Sequence, residues 1–65
     1  MTKYKAVVTK YKAVVECRNA GGTDIHCWIV NASSQGEAGY VATEIARAHY
    51  PEFDEFEPIR TEEIK

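Results

Sequence analysis

The residues of this chain able to do chemistry are Cys17, Cys27, His26, His49, the adjacent pair Ser33-Ser34 and a scatter of carboxylates. A cysteine nucleophile needs a cation or base beside its sulfur, and a structural zinc site needs four convergent ligands. Neither requirement is written here. The cysteines are too widely spaced for a C-x-x-C pair, and His26 and Cys27, as neighbours in an extended segment, point to opposite sides and cannot readily chelate one ion. No G-x-S-x-G, H-E-x-x-H or phosphate-cradling loop occurs. The sequence therefore assigns no catalytic residue, no metal ligand, no cofactor and no small-molecule substrate, and a non-enzymatic role is expected.

Two segments must position these groups. Residues 2–8, Thr-Lys-Tyr-Lys-Ala-Val-Val, recur unchanged as residues 9–15, and a local duplication accounts for the repeat. In the second copy Tyr11, Ala13, Val15 and Cys17 alternate with Lys12, Val14, Glu16 and Arg18, the period of a half-buried strand. Asn19 to Asp24 supplies turn residues, and a second strand is expected over Ile25–Ala32. A register that sets Cys17 against Cys27 and Val15 against Ile29 puts both apolar rows on one side of the hairpin. In that register the cysteines are opposite each other, and they are read as reduced, buried packing atoms.

Ser34 followed by Glu37 is a capping box, so a helix should begin there and end near His49, ahead of Pro51. Ala38, Val41, Ala42, Ile45 and Ala48 form its apolar stripe, expected to lie on the Cys17/Cys27 face, and Gly36 and Gly39 would let it come close to the sheet. Pro51–Pro58 reads as acidic and irregular, with Phe53 and Phe56 as plugs for the core. A third strand over Ile59–Ile64 would pair with the first, giving sheet order 2-1-3. The expected class is α+β: an antiparallel hairpin, extended to three strands if Ile59–Ile64 joins it, with one amphipathic helix on one face.

The 65 residues make one small domain, with residues 1–9 a strand extension or a tail. No apolar run reaches the roughly 20 residues that span a bilayer, so no membrane partner is expected and a cytoplasmic setting is the reading. The formal charge of −2 divides into a basic first third and an acidic last stretch.

With a helix on the Cys17/Cys27 side, the other side of the sheet would present Trp28, Val30, Val14 and His26, bordered by Lys12 and Arg18. An aromatic centre with a polar rim suits a protein interface, and self-association or docking to another protein is the leading expectation. The alternative is a nucleic-acid-associated accessory protein using Lys3, Lys5, Lys10, Lys12 and Arg18 with Tyr4, Tyr11 and Trp28 as stacking rings. A sequence pI near 5.6 weighs against it.

Overall fold

The computed structural model describes residues 8–65. Strand β1 (Thr9–Asn19) leads through a tight turn into β2 (Gly22–Ala32); helix α1 (Gln35–His49) follows, and β3 (Glu55–Glu63) returns to the sheet. The three strands are antiparallel in the order β2-β1-β3. The second copy of the duplicated segment is thus the central strand. Of residues 1–9, expected as a strand extension or a tail, Thr9 opens β1 and Val8 stands exposed before it, while residues 1–7 lie outside those described.

The hairpin register differs from the expected one. Cys17 faces Asp24 instead of Cys27, Val15 faces His26, and Ala13 faces Trp28. The cause is the turn. Pairing continues to Asn19 and Gly22, leaving only Ala20-Gly21 as the connection and starting β2 at Gly22 instead of Ile25. Asn19 Oδ1 accepts the Gly21 N–H at 2.8 Å, its Nδ2 donates to the Glu52 carbonyl, and Gly22 takes φ 146°, where side chains are rarely accommodated.

This shift of three residues is odd, so it turns β2 over. Val30 and Ala32 are buried against α1, with Trp28 packed beside them, while Ile25, Cys27 and Ile29 stand on the open side.

Tyr11, Ala13, Val15 and Cys17 supply the β1 row of the core, and Ala38, Ala42 and Ala46 supply the helix row. The helix stripe is slightly rotated from the expected one: Ala46 is buried, Val41 and Ile45 are half-buried, and Ala48 is exposed. Alanines bury little area each, at roughly 25 cal/mol per Å², but they allow the helix to lie low on the sheet. Gly39 allows it closest, because a Cβ there would meet Pro58 Cβ at 3.3 Å. Gly36 has open space around it and plays no such part.

Ser34 caps α1 by accepting the Glu37 N–H at 3.2 Å. The Glu37 carboxylate reaches one residue beyond the expected box, to the N–H and hydroxyl of Ser33 at 2.6 and 2.9 Å. These bonds favour its charged form and hold its pKa below the usual glutamate value.

Strand β3 starts at Glu55, inside the stretch expected to be irregular. Consecutive β1 residues Val14 and Val15 face Arg60 and Pro58, so Ile59 is the extra residue of a bulge. The bulge accommodates Pro58 within a strand and hides the alternation on either side of it. Phe53 and Phe56 pack against the core as expected.

Candidate interaction surface

Of the six residues expected to form one surface, the structure brings three to the open face and sends three to the other. Val14, Lys12 and Arg18 share the open side of β1. His26, Trp28 and Val30 face the helix. His26 stacks on Tyr50 with centroids 4.2 Å apart and planes 15° apart, and Trp28 lies 5.9 Å from His26 and 6.3 Å from Tyr50. Tyr50 in turn meets Phe53 edge-on at 6.4 Å. This ring cluster closes the core at the C-terminal end of α1, where small alanines cannot fill the space.

The cysteines part company in the same way. Cys17 is fully buried on the helix side; its burial, then the nearby Asp24 and Glu52 carboxylates, push the thiol pKa up and disfavour the reactive thiolate. Cys27 is exposed on the open side opposite Val14. The two point to opposite faces and cannot be bridged within one molecule.

Arg18 is held by three carboxylates. Its Nε donates to Glu55 at 3.0 Å, and its Nη1 to Glu57 at 3.2 Å and to Glu16. The hydrogen bonds it donates to Glu55 and then to Glu57 raise its pKa further, and the guanidinium serves to tie β1 to β3. Arg60 pairs with Glu62 at 2.9 Å on the same side.

The open face therefore has two halves. Its β3 half carries Glu55, Glu57, Arg60 and Glu62, while its β2 half carries Ile25 and Ile29, 52% and 57% exposed, with Cys27 between them. Sequence reasoning placed Ile25, Cys27 and Ile29 in the core, since both rows of β2 are apolar and only the turn decides between them. No family model, curated protein or solved structure matches this chain.

The backbone direction of β2 completes the description. Asp54 and Ile64 donate their N–H groups to the carbonyls of Arg18 and Lys10. Even-numbered β1 residues thus turn their backbone groups towards β3 and odd-numbered ones towards β2. Their β2 partners are even-numbered, such as Val30 opposite Tyr11. It follows that Thr23, Ile25, Cys27, Ile29 and Asn31 direct N–H and C=O outward, to an edge where no described strand lies.

Two shallow depressions, of about 320 and 350 Å³, flank the hairpin turn and are lined by Arg18, Asn19 and Glu55 and by Asn19, Asp24 and Phe53 respectively, among others. Neither brings a nucleophile beside a base. Among the described residues no helix is long and apolar enough to cross a membrane.

Proposed function

We propose that this chain is a non-enzymatic interaction module that self-associates through the β2 half of its open face and the outer edge of that strand. The observation behind this reading is the coincidence of two kinds of unmet contact on the same residues. Ile25 and Ile29 expose apolar side chains to one side and turn backbone groups to an edge of the strand where no other described strand lies. Exposed edges of this kind are templates for further strands. The exposed Cys27 thiol suits a reducing, cytoplasmic setting.

The nucleic-acid reading has less in its favour. Arg18 is engaged by carboxylates, Trp28 packs beneath the helix with other rings, and Glu55, Glu57 and Glu62 share the face with Lys12. The test is sedimentation equilibrium of the full chain carrying Cys27→Ser, across a concentration series. A concentration-dependent mass supports the reading; a constant monomer mass up to millimolar protein removes it.

A further inference from the structure

Resting on that reading, we infer that the partner is a second copy of this chain, added to the β2 edge as an antiparallel strand in a two-fold register centred on Cys27. Strand β2 runs from Gly22 to Ala32, so Cys27 is its midpoint, and pairing about that residue engages the whole strand. An isologous contact requires each residue's partner to be met reciprocally. Here Ile25 of one copy meets Ile29 of the other on the open face, and Thr23 meets Asn31. On the helix side His26 meets Trp28, extending the ring clusters across the axis. Residues with outward backbone groups face one another throughout, as a hydrogen-bonded ladder demands.

The charge distribution selects this edge. Asp24 is the one Asp, Glu, Lys or Arg side chain in β2, and it falls opposite Val30 of the other copy. Strand β3 carries four glutamates against one arginine, and its bulge puts the partners of a two-fold register about its midpoint, such as Glu55 and Glu63, on opposite faces, so it offers no regular ladder to a second copy. Pro58 and the bulge further spoil that edge. Joining two copies through β2 also leaves the acidic β3 strands at the far margins of a six-stranded sheet, where their mutual repulsion is least.

Cys27 provides the ruler. Opposed Cα atoms in a hydrogen-bonded antiparallel pair lie about 5.5 Å apart, within the range of roughly 4.4–6.8 Å that a disulfide bridges. Oxidised glutathione should convert two Cys27 thiols to one disulfide, the thiols losing two protons and two electrons as the oxidant becomes two glutathiones. The register is checked by mixing Thr23→Cys/Cys27→Ser protein with Asn31→Cys/Cys27→Ser protein under the same oxidant. A mixed dimer should dominate at least tenfold over either homodimer.

Amide exchange at Ile25, Cys27 and Ile29 should slow with protein concentration while exchange in β3 does not change. A concentration-dependent mass with cross-links at other positions, or with no concentration-dependent protection at these three amides, overturns the inference and leaves self-association standing. A constant monomer mass in the Cys27→Ser protein removes both.

Discussion

The two outer strands of this sheet share the central strand β1 as neighbour and are opposite in character. Strand β3 is broken by a bulge, carries Pro58 inside it, and presents Glu55, Glu57, Glu62 and Glu63. It is also fastened down: Arg18 spans to Glu55 and Glu57, Gln35 Nε2 donates to the Thr61 carbonyl at 2.6 Å, and Gly39 admits Pro58 against the helix. Strand β2 has eleven residues, a regular ladder to β1 and no proline. The difference teaches that an edge strand can be finished locally, by the devices seen in β3, or left regular, as in β2.

Substitutions that act on one edge and not the other test this contrast. The largest effect is expected from proline placed at adjacent β2 positions. His26→Pro removes an N–H directed at β1 and should destabilise by about 3 kcal/mol or more, from the lost ladder bond and ring packing together. Ile25→Pro removes an outward N–H; it should cost far less and weaken association at least tenfold. Urea denaturation and sedimentation read the two quantities separately, and equal destabilisation at both positions would contradict the edge direction assigned to β2.

On the other side of the sheet, Gly39→Val drives a side chain into Pro58 and should cost about 1–3 kcal/mol by urea denaturation, without changing self-association in the protein that remains folded. At the hairpin, Gly22→Ala forces a side chain into a left-handed conformation and should cost about 1–3 kcal/mol, measured by the shift in thermal midpoint.

The smallest effect concerns the joint between β2 and α1. The pKa of Glu37 is depressed in the folded state, so its contribution is present above the ordinary glutamate value and is lost as pH falls through the lower folded value. Urea titrations across that acidic range should show a shallower decline for Glu37→Gln than for the parent chain.

The central strand and the helix from its Ser34 cap to His49 were legible because each rests on a local signal, strict alternation in Tyr11–Cys17 for the one and a capping serine, an apolar stripe and a following proline for the other, while the order 2-1-3 followed from the rules for connecting strands. The face of β2 was not legible. Ile25, Cys27 and Ile29 make as good a buried row as Trp28, Val30 and Ala32, and what decides between them is a turn conformation at Gly22 that composition does not specify. The start of β3 was hidden because Pro58 and the bulged Ile59 interrupt its alternation. The candidate surface inherited the first of these errors, which split it between two faces.

The buried position of Cys17 has a consequence for a chain that spells one strand twice. Were residues 2–8 to take the places of residues 9–15, the seven side chains facing β2 would be identical and the sheet could not tell the copies apart there. The distinction comes two places later. The slipped frame brings Thr9 into the place of Glu16, Lys10 into the fully buried place of Cys17 and Tyr11 into that of Arg18, an ammonium in the core and a guanidinium missing from Glu55 and Glu57. One small apolar thiol is thereby a punctuation mark, fixing which of two synonymous segments is read as the strand.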